Sequence, residues 1–165
     1  MRRIKFKGYG VVLPKNTVSF KNHIRYRISE GETQLQLAVA ACEKALKNSN
    51  ISINDIDCIV SASAVGVQPI PCMAALIHEK IAKGTSIPAL DINTTCTSFI
   101  TALDTMSYLL EAGRYKRVLI VSCDVASSAL NPNQKESFQL FSDGAVAFVV
   151  EKSDEEIGII DSTLK

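Results

Sequence analysis

Apolar residues recur along the chain with two different periods, and the switches between them divide it into alternating strands and helices. Ile4 to Leu13 passes from alternating to continuously apolar and is stopped by Pro14, which predicts a first strand. The polar, basic stretch from Pro14 to Gly31 has no period and reads as a loop. Leu35, Leu37, Ala38, Ala41, Cys42, Ala45 and Leu46 fall on one helical face, with Glu32 or Thr33 placed to cap the start and Asn48 to Asn50 to stop it. After a short connector at Ile53, Asn54 and Asp55, the run Ile56 to Ala64 predicts a second strand, buried on at least one face. Pro69 and Pro71 then open a helix that runs to about Lys83 and is closed by Gly84. Ile87 to Ile92 predicts a third strand. Asn93, Thr94 and Thr95 can all cap the helix after it, Cys96 to Ala112, which carries Phe99, Leu103, Met106 and Leu110 on one face and stops at Gly113. Val118 to Ser122 is a fourth strand, Ala126 to Ser137 a polar loop containing Asn-Pro, and Gly144 to Glu151 a strongly apolar strand. Beyond the charged turn Lys152 to Glu156, Ile157 to Leu164 reads as a further strand folded back antiparallel on its predecessor.

Strands that alternate with three helices form βαβ crossovers and a largely parallel sheet, and the final antiparallel pair makes that sheet mixed. At about 150 residues per domain, the 165 residues make one domain, 1–165, with no internal repeat. The 47% hydrophobic and 21% charged residues are ordinary globular values and exclude disorder. A net charge of +1 offers no footprint for nucleic acid or for an anionic membrane. The longest unbroken apolar runs, such as Leu37 to Cys42, have six residues, against roughly 20 for a membrane-spanning helix. Met1-Arg2-Arg3-Ile4-Lys5 starts with the positive charge of a signal peptide but then alternates where an apolar stretch is required. The five cysteines are odd in number and contain no CxxC pair, which fits reduced thiols in the cytoplasm.

The phosphate-binding pattern GxxxxGK[ST] is absent, and Gly8-Tyr9-Gly10 lacks both a third glycine and a following helix. His23 and His78 stand at no metal-ligand spacing and read as ordinary loop and helix-surface residues, so no metal is expected. Cys42, Cys58, Cys72 and Cys123 lie in apolar segments and read as buried structural cysteines. Cys96 stands apart because it falls where the third strand gives way to a helix. Unpaired N–H groups and the positive end of the helix dipole stabilise a thiolate there, and ligands of open α/β sheets bind at that place. Position alone leaves two readings of Cys96 open, a nucleophile and a structural thiol.

Four segments, taken together, decide between them. Asp91-Ile92-Asn93-Thr94-Thr95-Cys96-Thr97-Ser98-Phe99 resembles the nucleophile segment of the β-ketoacyl-acyl-carrier-protein synthase III family of the thiolase superfamily, whose usual form is D-[IV]-x-x-x-C-x-G-F. Leu119 to Asp124 resembles the strand after the nucleophilic helix in that family. Leu140-Phe141-Ser142-Asp143-Gly144-Ala145 resembles its L-F-G-D-G-A segment, and Ile24-Arg25-Tyr26-Arg27 its G-I-x-x-R loop. The four occur in the family's order and cover nearly the whole chain from Ile4 to Glu151.

The resemblance implies a thiolase-like α/β half with a mixed, mostly parallel five-stranded sheet and helices on both faces. It also implies an acyltransferase in fatty acid or related biosynthesis. Cys96 would take an acyl group from acyl-CoA, a substrate and not a cofactor, and pass it to a carbanion made by decarboxylating malonyl-acyl carrier protein. The backbone N–H of Cys96 would serve the oxyanion hole. Leu140 and Phe141 match pocket positions, Ile70 matches a residue that reaches toward a partner's pocket, and Asp143 and Gly144 would hold the turn into the next strand. Family members are homodimers joined through their sheets, which here means the edge near Thr85 to Ile92.

The chain also departs from the family. Members are about twice as long, and the histidine and asparagine that drive decarboxylation come from a second half absent here. The segment before the G-I-x-x-R loop is shorter than in the family, the tryptophan that stacks on the CoA adenine is missing, and Lys135 replaces the arginine opposite it. Ser98 and Ser142 replace glycines and are expected to narrow the space for an acyl chain. Two rival readings follow: a non-catalytic or split assembly subunit of a thiolase-superfamily complex, and an unrelated α/β binding or redox domain.

Overall fold

The computed structural model describes residues 1–21 and 23–163; Asn22, Leu164 and Lys165 lie outside them. In chain order the elements are β1 (Ile4–Val12), β2 (Asn16–Phe20), β3 (His23–Arg27), α1 (Gln34–Ser49), β4 (Cys58–Ser61), α2 (Met73–Ile81), β5 (Ala89–Asp91), α3 (Ser98–Glu111), β6 (Arg117–Asp124), α4 (Lys135–Leu140) and β7 (Gly144–Lys152). Five of the strands form one sheet in the order β1-β7-β6-β4-β5. β4 pairs in parallel with β5 and β6, whereas β7 runs antiparallel to both β6 and β1. The sheet is therefore mixed, with its parallel part confined to three strands.

The period-two alternation of β6 sorts its side chains onto two cores. Leu119 and Val121 face α1 and α2 with Ala41, Ala45, Met73 and Ile77. Val118 and Ile120 face α3 with Ala102, Met106 and Leu110. α1 starts in a reciprocal capping box between Thr33 and Gln36 and ends at Asn50 in the left-handed region. It lies directly on β1: a Cβ added at Gly10 would stand 2.3 Å from the Ala41 carbonyl oxygen. Gly84 and Gly113, with φ of +81° and +73°, close α2 and α3 at the end of the sheet where β5 and β6 begin, with open space around both.

Several segments differ from their sequence reading. Pro14 to Gly31 is not all loop: β2 and β3 pair antiparallel as a separate two-stranded sheet, with Val18 opposite Arg25. Pro69 and Pro71 precede α2 and lie outside it. The helix start at Cys72 carries no side-chain cap of its own, because the Asp91 carboxylate accepts hydrogen bonds from the N–H groups of Met73 and Ala74, at 3.0 and 2.8 Å. α4 forms inside and just past the stretch expected as a polar loop. The strand expected over Ile157 to Leu164 is replaced, among the described residues, by a single bridge between Arg2 and Ile159. β7 already has β6 on one edge and β1 on the other, so no edge remains for the tail to join.

Candidate active site

Because β4, β5 and β6 are parallel, their carboxyl ends lie together, and antiparallel β7 starts at the same end, with Gly144 opposite Asp124. The connection after β4, the turn after β5 and the segment between β6 and β7 therefore gather at one end of the sheet. That is where open α/β sheets bind ligands.

Cys96 sits in a 3-10 turn, Thr95–Thr97, between β5 and α3, and the α-helix expected to begin at Cys96 begins two residues later, at Ser98. It is the exposed cysteine of the five, and among the described residues no acceptor holds its backbone N–H. The turn is pinned from several directions. Asn93 Oδ1 accepts from the Thr95 N–H at 2.9 Å while its Nδ2 donates to the Ala64 carbonyl at 3.0 Å. Thr95 takes a left-handed φ of +56°, costly for a β-branched residue. Ser98 Oγ accepts from the Thr94 N–H at 3.0 Å and donates to the Thr95 carbonyl at 2.6 Å, with the Ser63 carbonyl at 3.3 Å. The Ser63–Val65 segment is itself anchored: Ser63 Oγ accepts from the Cys123 N–H, and Asp124 Oδ1 accepts from the N–H groups of Ala64 and Val65.

The other thiols contrast with Cys96. Cys42, Cys58 and Cys123 are buried and Cys72 is half-buried. Burial pushes the Cys123 thiol up to about 12 and raises Cys42 and Cys58 as well, which removes their thiolates at neutral pH.

Leu140 and Phe141 close α4 and are 63% and 42% exposed, and Ile70, between β4 and α2, is 86% exposed. All three belong to segments at the carboxyl end of the parallel strands, the end that carries Cys96. The segment before β7 is tied down by Asp143, which is 2% exposed. Its carboxylate accepts from the Ile28 and Ser127 N–H groups, both at 2.9 Å, and from the Ser127 hydroxyl, and its own N–H donates to the Tyr26 carbonyl. Arg25 Nε donates to the Gln139 and Leu140 carbonyls, and Arg27 donates to the Phe138 carbonyl and lies over the Phe138 ring. The β2–β3 hairpin thus braces α4. Ser142 Oγ accepts from the Tyr26 N–H at 2.8 Å. Ser98 and Ser142, the two residues that replace glycines, both use their hydroxyls to staple backbone.

His23 is exposed, and His78 Nε2 lies 3.2 Å from Thr85 Oγ1, far from any cluster. Among the described residues no group of three or more His, Cys, Asp or Glu could hold a metal, and no helix is long and apolar enough to cross a membrane. Sequence reasoning missed Asn93, Ser98 and Asp91 as holders of the nucleophile turn and of α2. The sequence marked Asn93 as a possible helix cap and Asp91 and Ser98 as motif positions, without their bonds to Thr95, Met73 and Ala74.

Three comparisons bear on these features. The sequence pattern of the family described as 3-oxoacyl-[acyl-carrier-protein (ACP)] synthase III matches residues 90–165. The β-ketoacyl-[acyl-carrier-protein] synthase III of Neisseria gonorrhoeae is 31% identical over 100% of this chain and 57% of its own length. That of Clostridium perfringens is 34% identical over 96% and 54%. Among solved structures, 3-oxoacyl-[acyl-carrier-protein] synthase III from Aquifex aeolicus VF5 superposes with a TM-score of 0.86 at 28% identity, covering 93% of this chain and 55% of that one. The chain spans about half the length of the curated relatives it matches.

Proposed function

Since the chain belongs to the 3-oxoacyl-[acyl-carrier-protein] synthase III family and covers about half the length of its relatives, we propose that it carries the nucleophile of an acyl-thioester transferase, Cys96. The observation that carries this reading is the contrast among the thiols: Cys96 is exposed, in a pinned turn at the carboxyl end of β5, with a backbone N–H that no acceptor among the described residues takes.

In the first half-reaction the Cys96 thiolate attacks the carbonyl carbon of an acyl-CoA. A carbon–sulfur bond forms, and the π pair moves to oxygen, where the Cys96 N–H meets the negative charge. Collapse of the intermediate expels the CoA thiolate, which takes up a proton. In the second half-reaction malonyl-acyl carrier protein loses carbon dioxide, its carbanion attacks the acyl carbonyl, and the Cys96 thiolate departs, leaving a β-ketoacyl product of fatty acid or related biosynthesis. Groups that stabilise the carbanion come from outside these 165 residues. Leu140 and Phe141 form part of the acyl-pocket wall. β5, a three-residue strand at the sheet edge, joins its copy in a homodimer, with Ile70 reaching toward the partner's pocket. The protein works in the cytoplasm, where its five free cysteines stay reduced.

Competitive alkylation with mass-spectrometric mapping, followed by incubation of the intact protein with a short acyl-CoA, tests the nucleophile. Cys96 should label first at pH 7 and take up one acyl group that Cys96→Ala does not. Faster labelling of Cys58 or Cys123 removes Cys96 from the role. Light scattering at micromolar concentration tests the dimer, and a strictly monomeric mass eliminates it.

A further inference from the structure

Ser98 stands where the related pattern has glycine, and its hydroxyl is not idle. The residue is 2% exposed, and it directs two donors, its Oγ–H at 2.6 Å and its backbone N–H, at the Thr95 carbonyl. That carbonyl belongs to the same peptide group as the Cys96 N–H. A hydrogen bond accepted at the oxygen of an amide draws electron density from its nitrogen and makes the N–H a stronger donor. Ser98 Oγ also accepts the Thr94 N–H, and of the two carbonyls its proton can reach, Thr95 at 2.6 Å is closer than Ser63 at 3.3 Å. Asn93, by accepting the Thr95 N–H, holds the left-handed kink at +56° that turns the Thr95–Cys96 peptide with its N–H free.

We propose that Ser98 is a positioning residue for acyl transfer: its hydroxyl polarises and orients the Thr95–Cys96 peptide so that the Cys96 N–H is a strong, fixed donor to the oxyanion. This rests on the reading of Cys96 as the acyl acceptor. Ser98 touches neither the thioester nor the sulfur and acts only through that peptide. An oxyanion-hole donor is worth about 10²–10³ in rate, and a cooperative bond modulates its neighbour by roughly 10–30%, so losing the hydroxyl should slow acylation about 2- to 8-fold.

The test compares two reactions of the same thiolate. Iodoacetamide alkylates sulfur by displacing iodide from a saturated carbon, with no oxyanion; a short acyl-CoA acylates it through one. In the intact protein, Ser98→Ala and Ser98→Gly should lower the acylation rate about 2- to 8-fold while alkylation of Cys96 across pH 6 to 9 stays within about 1.5-fold of the parent. Unchanged acylation overturns the proposal. An equal fall in both reactions also overturns it, because a hydroxyl that merely supports the turn affects every reaction of the sulfur alike. Absence of acylation in the parent protein, with Cys96 still the first thiol alkylated, overturns the reading of Cys96 as acyl acceptor and the role of Ser98 with it.

Discussion

Replacing Asp143 by asparagine removes a charge from the place where three segments meet before β7. The two side chains have almost the same shape, so the change isolates acceptor capacity. The aspartate accepts three hydrogen bonds, from the Ile28 N–H, the Ser127 N–H and the Ser127 hydroxyl, at a site 2% exposed. Asparagine keeps one acceptor oxygen. Its amide then faces a donor: with the oxygen toward the Ser127 N–H, the NH₂ meets the Ile28 N–H, whereas the Ser127 hydroxyl can rotate to accept. One charge-assisted bond is lost, a buried N–H is orphaned and the surviving bond loses its charge, which together cost about 2–4 kcal/mol. With a urea dependence of about 2 kcal/mol/M, the unfolding midpoint should fall by about 1–2 M at unchanged slope. If the loss is local, exchange of the Ile28 and Ser127 amide protons should instead accelerate by about 30- to 900-fold, the same energy at 1.36 kcal/mol per decade, while β6 stays protected. A midpoint within about 0.3 M of the parent, together with unchanged protection at Ile28, would refute the assignment of Asp143 as the knot of this end of the sheet.

Glu151 receives Arg117 Nη2 at 2.7 Å and Nε at 2.9 Å, with Lys5 and Lys7 at 3.6 and 3.9 Å. Burial opposes its ionisation, but these cations outweigh burial and hold the carboxyl below the usual glutamate range. A lowered folded-state value contributes stability that is present above about pH 4.3, the ordinary glutamate value, and is lost as pH falls through the folded-state one; Glu151→Gln should flatten that part of a stability-against-pH curve measured by urea unfolding. Gly10→Ala should lower stability by about 1–3 kcal/mol or more, since its Cβ would meet the α1 backbone at Ala41 O, 2.3 Å, and Ala45 N, 2.6 Å. Thermal melts check this against Gly84→Asn, which has open space and a residue tolerant of positive φ, and which should stay within about 1 kcal/mol.

The elements legible in the sequence are those whose own side chains supply the reason for their structure. Thr33, just ahead of α1, and Gln36 in its first turn cap the helix locally, and the alternation in β6 names both of its cores. The misread elements depend on distant partners. α2 begins at Met73 because Asp91, eighteen positions away, caps it, so the prolines ahead of it are irrelevant to its start. The β2–β3 hairpin and α4 are short and polar, and each exists because Arg25 and Arg27 hold the other through α4 carbonyls. The final segment carried a plausible strand pattern, but the edge it needed was already occupied by β1. At the site, the order Asp91 to Phe99 identified the cysteine; the bonds of Asn93 and Ser98 to the preceding connection emerge only in three dimensions.

The left-handed glycines at 84 and 113 mark the quiet pole of the molecule. The turns they form lie at the end of the sheet opposite Cys96, with no atom beyond their immediate chain neighbours within 4 Å of where a side chain would begin at either glycine. A fluorophore, an affinity handle or a surface tether attached beside Gly113 would sit on the turn leading into central strand β6, at the end of the sheet remote from the thiol. The protein can therefore be immobilised facing outward, its reactive cysteine presented to solution in a known orientation.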